Sequence, residues 1–560
     1  MKKYMVFVLC CILAQASFAQ RWVDKAQKAV FSVVTYGADN KIINTGNGFF
    51  ITEDGVGVSD YSLFKGADHA VVVDMSGKEM PVSLILGAND IYDLVKFRVD
   101  VKKKVETLEI AKADPGVGAN VVLLPYSTKK SRTVTAGKIT TETTLGGHKY
   151  YTLGMPITDQ MVSCPILTDD GQVFGMAQKS AGTDKNISYA VSVSLASELT
   201  INALSLNDAA LNGINIKKAL PEKEEQALAM LYFAATAKSD RYVSLIDQFI
   251  EQFPKVSDGY SRRASYNVYN YFDTKHMEQI EADLNAAESN ADNKANAYSS
   301  SALVVYTYAL RDIKPPYKDW TMDKALGLIN KAIAVDPQPV YYQQAGDINF
   351  SMKKYQEAFD SYQKVNQSKQ ASAVTFYYAA KAAEMLKNDT ATVVALLDSA
   401  ITKYVAPYPE EASPYLWERG SIYFQKQQYK EAVADFDAYE LSVKVTPAPL
   451  FYYYREQALY RSNQFARAIV DINKAVELSP EDIDYLVEQG VVNLRISKYG
   501  DAISSLNAAL KIDPKLASAY RMIGFCQIQQ GKKEIGLKSL QKAIDLGDET
   551  AKNLKEKFAK

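Results

Sequence analysis

Residues 160–175 decide the fold of the first half of the chain. They read Gln160-Met161-Val162-Ser163-Cys164-Pro165-Ile166-Leu167, and after two further residues a turn follows as Asp170-Gly171-Gln172-Val173-Phe174-Gly175. Around this stretch, from about Gln20 to Ser205, short β-branched runs alternate with Gly and Asn or Asp turns. Strands at this spacing, with no helical period between them, predict an all-β barrel or sandwich. The clearest runs are residues 29–34, 48–52, 70–74 and 120–124.

Six stretches, taken in order, resemble the trypsin-like serine proteases of the HtrA type. That family reads G-N-S-G-G-P-L, followed by D-G-x-V-x-G, where this chain has residues 160–175. The other stretches that resemble its strand and loop motifs are residues 46–51, 55–67, 89–95, 134–139 and 189–192. The resemblance covers nearly all of residues 30–195, and it implies a trypsin-like double β-barrel in residues 20–205.

The resemblance also locates the catalytic triad, of which two positions are lost. Aligned on Pro165, the family serine falls on Val162. Counted back from Gly66-Ala67, the family histidine falls on Ser62, and the motif at residues 89–95 places the aspartate on Asp93. Nucleophilic hydrolysis needs a hydroxyl or thiol, a base, and backbone donors for the oxyanion. Valine supplies no nucleophile, serine cannot exchange a proton near neutral pH as imidazole does, and Gln160 replaces the glycine of the oxyanion hole. We therefore predict a pseudoprotease and no enzymatic activity.

A shifted nucleophile is the enzyme alternative. Ser163 or Cys164, at two further glycine positions of the family, would act with a relocated histidine. The chain has three histidines, at positions 69, 148 and 276, and each is interpreted as a surface or turn residue rather than a base. Cys164 has no basic neighbour in sequence to favour its thiolate, so a small buried residue is expected there. The alternative function is an envelope serine- or cysteine-type peptidase with a rearranged active site.

The second half repeats itself with a period of 34 residues. Gly490, Ala502, Leu506, Ala509 and Pro514 recur one period later as Gly524, Gly536, Leu540 and Ala543, and one period earlier as Glu456, Ala468, Ile472, Ala475 and Pro480. Small residues stand where the two helices of a repeat touch, a large apolar residue fills the remaining gap, and proline ends the second helix. Helix–turn–helix repeats of this length are the tetratricopeptide signature. We predict an all-α superhelix, or solenoid, of about seven to nine repeats over residues 223–560, after a linker at residues 206–222.

Tetratricopeptide arrays have an extended concave surface, which in the family is lined by the first helix of each repeat. The predicted groove positions are Trp417, Phe424, Tyr453, Tyr460, Arg461, Arg495, Arg521 and Phe525. Aromatic residues with interspersed arginines are typical of peptide-binding surfaces, so a protein or peptide ligand is expected in the groove. The alternative for each aromatic side chain is packing between adjacent repeats. The carboxylate clamp of chaperone-binding relatives is not recognisable.

Composition and the N-terminal segment bound the remaining possibilities. With 64 Lys and Arg against 65 Asp and Glu, the net charge is -1, so no global basic field favours nucleic acid or an anionic membrane. Residues 1–19 are interpreted as a signal peptide, with Lys2 and Lys3 before an apolar run and Ser17-Phe18-Ala19 at the cleavage site. Export to the periplasm or the extracellular space is expected, with no transmembrane segment in the mature chain. We expect no metal site and no cofactor, since neither zinc-type spacing nor a phosphate-binding glycine motif is present.

These features together predict a non-catalytic, extracytoplasmic scaffold that binds proteins or peptides. Envelope protein assembly or quality control is the expected setting. A component of a surface nutrient-uptake complex is a further alternative.

Overall fold

The computed structural model describes residues 22–128, 134–178, 184–237 and 241–559, and within these ranges twelve strands form two closed barrels. The interpreted signal peptide, residues 1–19, lies outside the described residues. The strands are β1 (Val30–Tyr36), β2 (Ile42–Phe50), β3 (Val56–Ser59), β4 (His69–Val73), β5 (Glu79–Asn89), β6 (Leu94–Val99), β7 (Asn120–Leu123), β8 (Thr135–Leu145), β9 (His148–Leu153), β10 (Pro165–Thr168), β11 (Val173–Gln178) and β12 (Ser188–Ser192). Neighbours pair antiparallel in the orders β1-β2-β3-β6-β5-β4 and β10-β11-β12-β9-β8-β7. This confirms the predicted double barrel.

The first barrel packs around Phe31 and Phe97, which are both fully buried with ring centroids 6.1 Å apart. A β-carbon at Gly48 of β2 would lie 2.5 Å from Phe31 Cε2 and 2.5 Å from the Val58 carbonyl oxygen. Only glycine fits where β2 passes this ring, which explains the glycine at this position of the strand.

Residues 206–222, interpreted from the sequence as a linker, pack onto the first barrel. The Ile85 N–H donates to the Lys217 carbonyl (2.8 Å), and the Ala219 N–H donates to the Ile85 carbonyl (2.9 Å). Ile214 and Ile216 are buried in the core of the same barrel. The segment is therefore held by both its backbone and its side chains.

Several short helices accompany the barrels, among them α1 (Tyr61–Phe64), α2 (Leu195–Glu198) and α3 (Ala209–Asn212), and from Glu224 onwards the described chain is mostly helical. The α-helices of this part are α4 (Glu224–Thr236), α5 (Tyr242–Gln252), α6 (Ser257–Asn270), α7 (Thr274–Asn290), α8 (Lys294–Ala309), α9 (Met322–Val335), α10 (Pro339–Ser351), α11 (Tyr355–Asn366), α12 (Ala373–Met385), α13 (Thr390–Ile401), α14 (Ser413–Gln425), α15 (Tyr429–Ser442), α16 (Pro449–Arg461), α17 (Phe465–Leu478), α18 (Ile483–Arg495), α19 (Tyr499–Ile512), α20 (Ala517–Gln529), α21 (Lys533–Asp545) and α22 (Glu549–Ala559). The chain divides into two compact units, Met1–Asn267 with Ile280–Asn290 and Val268–Gln279 with Ala291–Lys560.

The helical pairs show why the sequence repeats its small residues. A β-carbon at Gly490 of α18 would lie 2.6 Å from Leu506 Cγ of α19, so the two helices can approach only because glycine has no side chain. The same close approach occurs at Gly346 and Tyr362, Gly420 and Phe436, and Gly524 and Leu540. These contacts confirm the predicted array of tetratricopeptide-like repeats.

Cys164 and Cys526 are both free and buried. Across the described ranges, no helix combines the length and the apolar character needed to cross a membrane.

Candidate functional site

The three triad positions come together in one cleft of the double barrel. Ser62, the second residue of α1, donates from its backbone N–H to Asp93 Oδ1 (2.6 Å) and from its hydroxyl to Asp93 Oδ2 (3.0 Å). Both residues line a cavity of about 530 Å³, together with Val162. The Asp93 carboxylate therefore has a serine as its partner, which neither accepts nor returns a proton near neutral pH.

The loop that would carry the nucleophile is tied to the first barrel. Asn47 of β2 donates from Nδ2 to the carbonyls of Gln160 (3.0 Å) and Val162 (2.8 Å). The next residue, Ser163, has a φ of 66°, in the left-handed region that favours glycine. Glycine is what the HtrA-type pattern has at this position, so the backbone agrees with the sequence alignment.

Both fallback nucleophiles are buried. Ser163 is 1% exposed, and its hydroxyl donates to Asp60 Oδ2 at 2.7 Å. Cys164 is fully buried, and this burial raises the pKa of its thiol to about 12. The histidines do not line the cavity: His69 stacks on Tyr36, and His148 Nε2 lies 3.5 Å from Glu198 Oε2. Neither thiol nor hydroxyl has an imidazole beside it in this cleft.

Asp60 is the residue of the cleft that the sequence analysis missed. It precedes α1 directly, is 4% exposed, and its Oδ1 has no hydrogen-bond partner within the described structure. Burial and the neighbouring Asp93 carboxylate raise the pKa of Asp60 to about 8, although the Ser163 hydroxyl bond opposes the shift. The available signal was a carboxylate at the end of the apolar β3 segment, two residues before a triad position.

The eight predicted groove residues all lie on first helices of the repeat pairs, namely α14, α16, α18 and α20. Each of the five aromatic residues contacts a ring outside its own helix. The ring pairs are Trp417 with Phe436 (5.4 Å), Phe424 with Tyr454 (5.6 Å), Tyr453 with Tyr485 (5.1 Å), Tyr460 with Phe465 (5.3 Å) and Phe525 with Phe558 (6.1 Å). These contacts support the packing alternative for the buried part of each ring.

The arginines of the groove differ in what they contact. Arg521 Nε lies 2.7 Å from Asp548 Oδ2, so its charge is already compensated. Arg461 and Arg495 are exposed, the latter with its guanidinium 5.0 Å from the Phe465 ring centroid. A cavity of about 290 Å³ lies beside Trp417, between Pro414 and Leu450. Exposed cations and a small apolar pocket are thus present on the same set of helices.

Comparisons with known proteins agree with both halves of this description. The family model of the trypsin-like peptidase domain matches residues 46–176, and that of the tetratricopeptide repeat matches residues 457–517. Hsp70-Hsp90 organizing protein 3 of Arabidopsis thaliana is 30% identical over 91 residues, 16% of this chain and 16% of that protein. Small glutamine-rich tetratricopeptide repeat-containing protein 2 of Saccharomyces cerevisiae is 24% identical over 98 residues, 17% of this chain and 28% of that protein.

A third relative is mitochondrial import receptor subunit TOM70 of Homo sapiens, 30% identical over 91 residues, 16% of this chain and 15% of that protein. The chain spans less than a third of the length of each of these relatives. The two family matches, the closed barrels and the repeat geometry lead to one conclusion: this chain joins a trypsin-like peptidase domain to tetratricopeptide repeats.

Proposed function

We propose that this protein is a non-catalytic, extracytoplasmic scaffold that binds proteins or peptides during envelope protein assembly or quality control. The observation that carries the proposal is the pair formed by Ser62 and Asp93, beside a valine at the nucleophile position. A triad enzyme that loses its serine or its histidine loses on the order of 10⁶ in kcat. Here both positions are changed, so little beyond binding is expected from the cleft.

Burial weighs against the rearranged peptidase. To attack a peptide bond, Ser163 would have to leave its bond to Asp60 and reach the cavity from a 1% exposed position. Cys164 would have to ionise in an apolar core, where the pKa of its thiol is raised to about 12. A reactive thiolate needs the opposite conditions, namely partial exposure and a positive neighbour.

The repeats supply the binding half of the proposal. The relatives matched by this region carry the names of organizing proteins and of an import receptor subunit, which favours protein ligands for the array. Exposed Arg461 and Arg495, with the pocket beside Trp417, are the features through which we propose that a peptide segment is held. The extracytoplasmic setting rests on the interpreted signal peptide in residues 1–19.

Hydrolysis of unfolded casein tests the non-catalytic part. Purified mature protein, residues 20–560, is compared with a Ser163→Ala/Cys164→Ala double variant by release of acid-soluble fragments. We expect no release above buffer from either protein. Release by the wild type that disappears in the double variant would establish the rearranged peptidase instead.

A further inference from the structure

The charged side chains that line the cleft cavity, among the described residues, are all acidic. Of the described residues that line it, three are carboxylates (Asp60, Asp93 and Asp159), and none is a lysine, an arginine or a histidine. Its volume of about 530 Å³ is in the range of small-ligand sites, about 300–1,000 Å³.

One of these carboxyls is desolvated without compensation. Asp60 is 4% exposed, only its Oδ2 accepts a hydrogen bond, and its Oδ1 is buried with no partner within the described structure. A buried carboxyl in this state is costly unless a positive charge or further donors face it. The neighbouring carboxylate of Asp93 does not compensate the Asp60 carboxyl, because its negative charge repels a charge on Asp60.

We infer that this cavity binds an organic cation, the ammonium or guanidinium group of a small amine or of a basic peptide side chain. Such a group supplies the positive charge and the donors that Asp60 lacks. The apolar side chains of Leu63, Ile91 and Val162 line the same cavity and suit the methylene stem of a basic residue.

The spread of the carboxylates favours an extended cation over a metal ion. Among the described residues, no three or more histidine, cysteine, aspartate or glutamate side chains converge closely enough to hold a metal. A guanidinium is planar, weakly hydrated and able to contact several acceptors at once, so it matches dispersed carboxylates.

The inference rests on the proposed non-catalytic cleft and is tested with three probes by isothermal titration calorimetry on residues 20–560. The probes are n-butylguanidinium, the pentapeptide acetyl-Ala-Ala-Arg-Ala-Ala-amide, and the same peptide with norleucine in place of arginine. We expect the arginine peptide to bind at least tenfold more tightly than its norleucine counterpart. Binding of n-butylguanidinium as tight as that of the arginine peptide identifies a small amine as the ligand; clearly weaker binding identifies a basic segment.

Charge removal locates the site. Asp93→Asn should weaken binding of the arginine peptide about tenfold, since it removes a charge beside the cation. Asp60→Asn should do the same at pH 9, where the Asp60 carboxyl of the wild type is ionised. Asp39→Asn, on an exposed hairpin where Asp39 pairs with Lys41, should leave it unchanged. Because Asp93 is only half-buried, its variant keeps the test valid even where Asp60→Asn fails to fold.

Two failures are distinguishable in this design. Equal binding of the arginine and norleucine peptides, or none by either, would overturn the cation site. Mass spectrometry of the recovered peptides tests the proposed function separately. Cleavage of either peptide would show that the cleft is catalytic.

Discussion

Asp60 and Glu456 each bury one carboxyl oxygen that has no hydrogen-bond partner within the described structure. Burial is the main cause in both, and it raises the pKa of Asp60 to about 8 and that of Glu456 to about 9. Glu456 lies in α16 at the position where α18 has Gly490, so a carboxyl occupies a helix contact that other repeats leave to glycine. Glu488 and Asp471 nearby raise its pKa further.

A raised carboxyl pKa makes stability fall with rising pH. The unfolded Asp60 loses its proton near pH 4, whereas the folded one keeps it up to about pH 8. Between these values the free energy of unfolding falls by at most about 1.4 kcal/mol per pH unit from this residue, and it is flat above the folded pKa. Asp60→Asn removes the dependence, so we expect the variant to gain stability relative to the wild type on going from pH 5 to pH 8.

Urea unfolding at the two pH values measures this gain. Glu456→Gln should show the same trend up to about pH 9, for the same reason. Ser62→Ala, which adds and removes no ionisable group, is the control. If the free energies of unfolding of Asp60→Asn and the wild type differ by the same amount at pH 5 and at pH 8, the Asp60 carboxyl ionises normally.

At the scale of elements, buried arginine–carboxylate pairs join the two helices of successive repeats. Arg455 of α16 contacts Asp471 of α17 through Nε (2.7 Å) and Nη2 (2.9 Å), and it reaches Glu440 of α15 at 2.5 Å. Arg419 of α14 holds Asp435 of α15 in the same bidentate way. Arg455 alone thus links the three consecutive helices α15, α16 and α17, in a geometry that lysine cannot reproduce.

Replacing only Arg455 of the Arg455–Asp471 pair should destabilise the protein more than replacing both residues. Arg455→Met leaves the buried Asp471 carboxylate uncompensated, and we expect a loss of about 3–5 kcal/mol in the free energy of unfolding. Arg455→Met/Asp471→Leu should recover most of it. Urea titration measures both, with Lys474→Met at the exposed pair with Glu477 as a control that changes little. A double variant as unstable as the single one would mean that packing of the arginine stem, not its charge, matters.

The sequence predicted the elements where neighbours in sequence determine them. The β-branched runs and turns indicated the strands, and the small residue at Gly490 with Leu506 one helix later indicated the repeat contact. Contacts between distant segments could not be predicted in this way. Asp60 is bonded by Ser163, which lies 103 residues further along the chain, and residues 206–222 pack on β5 through backbone bonds that no local pattern encodes.

At the scale of the whole molecule, nearly balanced charge leaves recognition to local features. The net charge of -1 gives no long-range field of one sign. The acidic cavity and the exposed arginines of the repeats belong to separate compact units, so each can be altered without touching the other. Partner choice should therefore depend on where charges lie rather than on their sum.

A pair of charge reversals tests this for the repeats. Arg461→Glu/Arg495→Glu changes the first helices α16 and α18, whereas Lys430→Glu/Lys511→Glu makes the same change in net charge on the second helices α15 and α19. We expect cross-linked capture of envelope proteins by residues 20–560 to fall at least fivefold only in the arginine variant. Circular dichroism verifies that both variants fold. Equal capture by the two variants would contradict a groove on the first helices.

The left-handed backbone at Ser163 bears on the resemblance of this loop to the HtrA-type pattern. The HtrA-type pattern has glycine there, for which a φ of 66° is unstrained, and the serine keeps that conformation while bonding Asp60. The loop thus holds, at a serine, the backbone conformation that a glycine adopts most easily. Under the proposed function, a trypsin-like double barrel serves for binding without the nucleophile and the base of the triad, while the loop beside Val162 keeps a backbone suited to glycine.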